Sequence, residues 1–377
     1  MQTSLQKILK YYVYPIATLS GSIIGVGFLA LPYITLKVGI WPMLFYVIAI
    51  TGLLVFLHVI FAKISLKTPD HKRWPGFVGY YLGSWAKALT IVIIILGSFG
   101  VLLAYIIIGG QFLQTMLGPL LGEAAALYTV VYFIAGAFII HFGVKTISRV
   151  EFWALCALLI ALAIVLVSTA SHIKLGNIIN IPMSTDWKML FLPYGALLFS
   201  LWGSGLIPEV EEMLVGKKRL LKKVVIIATL IPAIIYTIFI FLVLGISGNQ
   251  TTSSALVGLG DFVAYPLFLV AIFIGLISTF TAFITQGLFL KKTFVYDMGV
   301  GEFPAWVFTC FPPLILFFLG MDLFIPLISF VGGVFLSING IFILLMYRKI
   351  GGKKIIAYPL VIIFILAAVY EIIYFVK

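Results

Sequence analysis

The chain has 377 residues, 63% of them hydrophobic and 10% charged, with 24 Lys and Arg against 12 Asp and Glu and a mean hydropathy of +1.24. This excludes an ordinary soluble domain, where charged residues make up about a quarter, and predicts an all-α polytopic membrane protein. The net charge of +12 is spread over short segments between apolar runs, which fits membrane topology and speaks against a nucleic-acid partner.

Residues 1–10 are polar and basic, but the apolar run behind them is too long, and lacks a small-residue cleavage site, for a cleaved signal peptide. The first span is expected to be its own insertion signal. At about 20 residues per span, eleven apolar segments follow: Tyr12–Tyr33, Gly39–Phe61, Lys87–Leu117, Glu123–His141, Val150–Ala170, Lys188–Leu214, Val224–Ile246, Ala264–Leu290, Pro304–Leu319, Leu323–Tyr347 and Ile355–Phe375. Residues 1–377 therefore read as one transmembrane domain in the cytoplasmic membrane.

The first span holds Ser20-Gly21-Ser22-Ile23-Ile24-Gly25-Val26-Gly27-Phe28-Leu29-Ala30-Leu31-Pro32, with three glycines in seven positions. Each costs a helix interior about 0.5–1 kcal/mol relative to alanine. In lipid an interrupted helix survives only where its freed backbone groups face protein, a cavity or a ligand. The stretch predicts a broken helix whose open backbone groups form a site.

Between spans two and three, Thr68–Gly83 reads as a cytoplasmic loop with a short interfacial helix, its aromatics at headgroup level. Ser171–Trp187 and Ser247–Asp261 are long outer loops that could hold short helices over the outer mouth. With the N-terminus inside, the inner segments carry Lys7 and Lys10; Lys63, Lys67, Lys72, Arg73 and Lys87; Lys145 and Arg149; Lys217, Lys218, Arg219, Lys222 and Lys223; Lys291 and Lys292; and Arg348, Lys349, Lys353 and Lys354, 20 of the 24. Lys37, Lys174, Lys188 and Lys377 fall outside. This asymmetry predicts an inside N-terminus and, with eleven spans, an outside C-terminus.

Span six repeats the oddity of span one. Ser200-Leu201-Trp202-Gly203-Ser204-Gly205 interrupts the apolar run, and Pro208 and Glu209 follow. Pro208 suits the first turn of a new half-helix, where a missing N–H costs nothing, and Glu209 lies favourably at its positive end. Either cluster alone could be close helix packing. Two interrupted spans in corresponding positions point instead to a five-plus-five inverted repeat, about 12–170 and 188–347 with an extra helix at 355–375, and to a binding site at the bilayer midplane.

Gly21 to Gly27 with Leu31-Pro32, joined to Phe199-Ser200-Leu201-Trp202-Gly203-Ser204-Gly205-Leu206-Ile207-Pro208-Glu209-Val210 and to Tyr105 through Gln111, resembles the amino acid–polyamine–organocation superfamily. The resemblance is greatest to its amino acid/auxin permease branch and the bacterial aromatic amino acid permeases related to it. It implies the LeuT-type fold and secondary transport of amino acids.

A zwitterion at the midplane needs N–H donors for its carboxylate and acceptors for its ammonium, and a broken helix offers both. The carboxylate is assigned to amides around Ser22, Gly25 and Gly27, with Ser22 Oγ as an extra donor, and the ammonium to carbonyls around Phe199, Ser200 and Gly203. By resemblance, Phe199, Trp202 and Tyr105 are candidate pocket walls and gates. The resemblance also implies a sodium site built from the carbonyls of Gly21, Ile24 and Gly275 and the hydroxyls of Ser278 and Thr279. The same hydroxyls can instead bond to their own helix.

Proton coupling is the other option, with Glu209 as candidate relay. Some proton-coupled relatives carry a lysine in span five, and this chain has none there. Glu211 and Glu212 read as ion-paired or solvated near the basic loop, and His58 and His141 as structural or interfacial. Cys156 and Cys310 read as core residues, and no cofactor, disulfide or catalytic cluster is suggested. A receptor built like the spore-germinant receptor subunits is the alternative to a symporter, and an uncoupled amino acid exchanger is a further one.

Overall fold

The computed structural model describes residues 4–69, 73–122, 124–143, 147–169 and 173–376. Met1, Asp70, His71, Lys72, Glu123, Lys145, Ala170, Ser171 and Lys377 lie outside the described residues, as do the side chains of Arg149 and Val150. The described residues form helices and connecting turns, with no strand among them.

The first span is two helices, α1 (Tyr14–Ile23) and α2 (Leu31–Val38), joined through a 3-10 turn at Gly27–Ala30 and bent by 53°. Then come α3 (Ile40–Lys67), α4 (Trp74–Leu82), α5 (Ser84–Leu121), α6 (Ala125–Phe142) and α7 (Ile147–Thr169). α5 has 38 residues, about 57 Å at 1.5 Å per residue, well beyond a bilayer's thickness. Gly83 and Gly122 bound it at φ 92° and 95°, a left-handed backbone that glycine adopts without strain.

The sixth span is also divided, into α8 (Leu192–Leu201) and α9 (Ile207–Met213). α10 (Leu221–Ser247), α11 (Tyr265–Lys292) and α12 (Glu302–Phe318) follow. α13 (Phe324–Phe330) passes through a π-turn at Val331–Leu336 into α14 (Ser337–Lys349), and α15 (Lys354–Val376) is appended. Among the described residues eight helices are long and apolar enough to cross a membrane, nine when the bent pair is counted. α12, with 17 residues, is shorter.

The buried core runs through the bundle's centre, where α10 backs both broken spans. The segments expected to be outer loops hold short helices, at Gly176–Ile179 and as 3-10 turns at Gly248–Gln250 and Val257–Leu259. They tie down α2 and the 3-10 turn before it: the Ala255 N–H donates to Leu29 O at 3.2 Å and the Ser184 N–H to Val38 O at 3.2 Å. α4 departs from the sequence expectation. Trp74 and Phe77 are buried rather than at headgroup level, with ring contacts to Phe61 at 4.7 and 5.2 Å, because the helix packs inward against α5 and α14.

Candidate functional site

The glycines of span one end α1 abruptly. Ile24, at φ −77° and ψ 89°, leaves helical geometry, and the Gly25 N–H turns back to Ile23 O at 2.9 Å. The last carbonyls of α1 and the first amides of the 3-10 turn lie at helix ends, where backbone groups lack partners within the helix. In span six, Trp202 is extended (φ −74°, ψ 124°) and Gly203 follows at φ −140°, ψ 11°. Pro208 and Glu209 then open α9 in its first turn.

Two side chains hold these breaks, and the sequence reading missed the role of both. The Tyr236 hydroxyl, on α10, faces Ile23 O at 3.1 Å and Ser200 O at 3.0 Å, so one donor is shared between the two interrupted spans. His58, fully buried on α3, accepts the Gly203 N–H on Nε2 at 3.3 Å. Its Nδ1 lies 3.0 Å from Thr229 Oγ1, whose own hydroxyl donates to Val225 O at 2.9 Å. That pattern puts the ring proton on Nδ1. His58 is therefore structural in a specific sense: it caps the span-six break.

Glycine also brings the breaks together. A Cβ on Gly25 would lie 2.7 Å from Tyr105 Oη, one on Gly27 2.6 Å from Phe199 Cδ1, and one on Gly203 2.7 Å from Ile23 Cδ1.

Between the breaks lies a cavity of about 280 Å³. Ser22, Gly25, Gly27, Tyr105, Phe199, Ser200, Trp202 and Gly203 all line it, and so do Gly21, Ile24 and Glu209. It runs toward the end of the bundle that carries Arg73, Lys291 and Lys292, with Trp74, Phe289 and Asn339 on that side. Two polar pairs in its wall were not singled out from sequence: Gln286 Nε2 donates to Ser98 Oγ at 3.0 Å, and Trp74 Nε1 to Asn339 Oδ1 at 3.1 Å. Glu209 is exposed and within electrostatic reach of Arg73 and Lys292. Glu211 is buried, accepting from Ser65 Oγ and pairing with Lys218 Nζ at 2.6 Å.

Some expected donors and acceptors are already engaged. Ser22 Oγ donates to Leu19 O at 2.9 Å, Ser200 Oγ to Ala196 O at 2.7 Å, and the Ser200 carbonyl accepts from Tyr236. The residues expected to form a cation site are divided. Gly21 and Ile24 line the cavity, whereas Gly275, Ser278 and Thr279 do not. A Cβ on Gly275 would meet Phe112 and Leu256, and Thr279 Oγ1 donates to Leu276 O at 2.9 Å. α11 reaches the cavity one to two turns further on, through Ala282, Thr285 and Gln286.

Apolar spans around two interrupted helices that share one cavity define a membrane protein of the LeuT fold. The fold matches that of MhsT in complex with L-phenylalanine, at 14% identity over 97% of this chain and 98% of that one, with a TM-score of 0.68. It also matches MHP1, a nucleobase-cation-symport-1 family transporter, closed with bromovinylhydantoin bound, at 13% identity over 96% and 89%, again at 0.68. Residues 12–368 match the tryptophan/tyrosine permease family, and the chain belongs to that family. It is 25% identical over 225 residues to the tyrosine-specific transport system 1 of Haemophilus influenzae, a match that takes in 58% of this chain and 54% of that relative, about half its length.

Proposed function

We propose that this protein is a secondary transporter that carries aromatic amino acids across the cytoplasmic membrane by cation-coupled symport and alternating access. The observation that carries the reading is the cavity between the two helix breaks, with Phe199, Trp202 and Tyr105 in its wall. The substrate's carboxylate meets amides at the span-one break, around Gly25 and Gly27. Its ammonium meets carbonyls at the ends of α1 and α8, and its ring packs among the aromatics. Membership of the tryptophan/tyrosine permease family and the relative's naming as a tyrosine-specific system support this substrate class.

The chain is read as eleven spans, two inverted repeats of five and α15, with the N-terminus inside and the C-terminus outside. It belongs with the amino acid/auxin permease branch of the amino acid–polyamine–organocation superfamily. With the basic loops inside, the cavity lies on the cytoplasmic side of the breaks while the outer loops hold α2, an inward-facing arrangement. Na⁺ and H⁺ are the candidate coupling ions.

The test is uptake of a panel of radiolabelled amino acids into proteoliposomes under separate Na⁺ and H⁺ gradients. Concentrative uptake of tyrosine, tryptophan or phenylalanine under one gradient is expected. Uptake that ignores both gradients would defeat symport, and absence of aromatic counterflow would defeat transport and leave a receptor.

A further inference from the structure

Glu371, on α15, takes no part in the site above and is 2% exposed inside a span. Ser329 Oγ donates to its Oε1 at 3.1 Å. A Cβ on Gly333 would fall 2.8 Å from the carboxyl carbon and 3.0 Å from Oε1, so the carboxyl group lies against the backbone of the π-turn Val331–Leu336. Among the described residues no Lys, Arg or His forms an ion pair with it.

The titratable groups facing it are mainly phenols. Glu371 acts on Tyr194 of α8 and on its own neighbour Tyr370, and those two phenols are also acted on by Tyr46 of α3, with Tyr374 and Asp186 beside Tyr370. Lys188 offers Tyr370 its backbone carbonyl at 3.0 Å. Arg348, on the adjoining α14, stacks on Tyr358, about 20 Å along α15 from Glu371, and Lys349 follows it.

An ionisable side chain within a span is costly unless it is paired or neutral, and marks function when it is kept. A carboxylate here has one hydroxyl donor and no counter-ion. A carboxylic acid fits the same space at lower cost, because the neutral form needs no counter-ion. The turn also reaches the cavity. Val331, Phe335 and Leu336 line it, and a Cβ on Gly332 would lie 2.9 Å from the Phe199 N of α8. The charge on Glu371 thus acts on backbone that borders both the cavity wall and the span-six break.

We propose that Glu371 is a proton-binding site whose occupancy biases the π-turn Val331–Leu336 and, through it, the binding cavity. The carboxylate takes one proton from water at the near, C-terminal end of α15 and gives the same proton back, with no other bond made or broken. The consequence for transport rests on the reading given under Proposed function; proton binding itself does not.

The two are separated by two measurements on the full-length protein. Infrared difference spectroscopy of purified protein is expected to show a buried carboxylic-acid band that grows as pH falls, is missing from Glu371→Gln, and changes its midpoint in Ser329→Ala. An undiminished band in Glu371→Gln, or a midpoint unmoved in Ser329→Ala, would overturn the site. In proteoliposomes, Glu371→Gln is expected to keep tyrosine counterflow within about twofold of the parent while stimulation by a proton gradient falls to about 1. Stimulation equal to the parent's would overturn the coupling of the site to the cavity. Absence of counterflow in the parent itself would instead defeat the transport reading, with the infrared result still deciding Glu371.

Discussion

His58 Nε2 accepts the backbone N–H of Gly203 at 3.3 Å, so a side chain of the second span caps the break in the sixth. Helix breaks in lipid leave backbone donors that must find partners, and this one finds an imidazole held from behind by Thr229 at 3.0 Å.

Replacing His58 with Ala strands the Gly203 N–H in a buried site, at a cost of about 1–3 kcal/mol. A lower melting temperature and weaker substrate binding are expected. His58→Gln restores an acceptor for Gly203 and a donor for Thr229, and is expected to recover much of both losses. Thermal unfolding and equilibrium binding on purified protein decide the matter. Equal damage from Ala and Gln would show that His58 matters for its packing alone.

Tyr236→Phe takes one donor from two carbonyls, Ile23 O and Ser200 O. The ring and its stack on Phe28, at 5.3 Å, are kept. A buried acceptor left without a partner costs about 1–3 kcal/mol, and here the loss falls on both breaks at once. Single cysteines placed at Ile24 and at Trp202 are both expected to label faster in this variant. Faster labelling at one position alone would contradict the shared-donor geometry.

Gly25 and Tyr105 make a testable pair. A Cβ on Gly25 would come within 2.7 Å of Tyr105 Oη, but its next neighbour, Tyr105 Cζ, is at 3.7 Å, an ordinary contact. Gly25→Ala is therefore expected to weaken binding and stability, and Tyr105→Phe in the same chain to relieve part of the damage. Contacting residues couple by about 0.5–3 kcal/mol, which a double-mutant cycle on melting temperature resolves. Gly25→Val, with more bulk at the break, is expected to abolish uptake while the protein still reaches the membrane. Near-normal uptake would remove Gly25 from the site.

Both breaks were legible in the sequence because glycine and proline act through the backbone, and backbone freedom can be read residue by residue. Gly21, Gly25 and Gly27, and Gly203 ahead of Pro208, needed no knowledge of their neighbours. The side chains that hold the breaks were not legible. His58 lies 145 residues from Gly203, and Tyr236 lies 213 from Ile23, so no local pattern joins them. Trp74 stood in a glycine-rich loop and read as interfacial until its bond to Asn339, 265 residues away, placed it inside. α11 shows a different limit. Ser278, Thr279, Thr281, Thr285 and Gln286 spread polar groups over more than two turns, and pattern alone does not say which turn reaches the cavity. Gly275, Ser278 and Thr279 fit the resemblance, while Ala282, Thr285 and Gln286 line the wall.

Phe199 offers a test of whether the cavity recognises aromatic rings, as proposed. It lies at the end of α8, partly exposed to the cavity, with Cδ1 2.6 Å from where a Gly27 side chain would begin. Its ring thus lies against the bare backbone of the span-one break, beside the amides assigned to the substrate carboxylate. Leucine at this position keeps the space apolar and removes the π face. An aromatic pair is worth about 0.5–1.5 kcal/mol beyond the area it buries, roughly a two- to tenfold change in affinity. Phe199→Leu is therefore expected to weaken binding of tyrosine, tryptophan and phenylalanine by that factor and to leave leucine or methionine, where they bind, nearly unchanged. Competition against labelled tyrosine measures both sides. Equal losses for aromatic and aliphatic ligands would make Phe199 a packing residue of the break and move recognition to Trp202 and Tyr105.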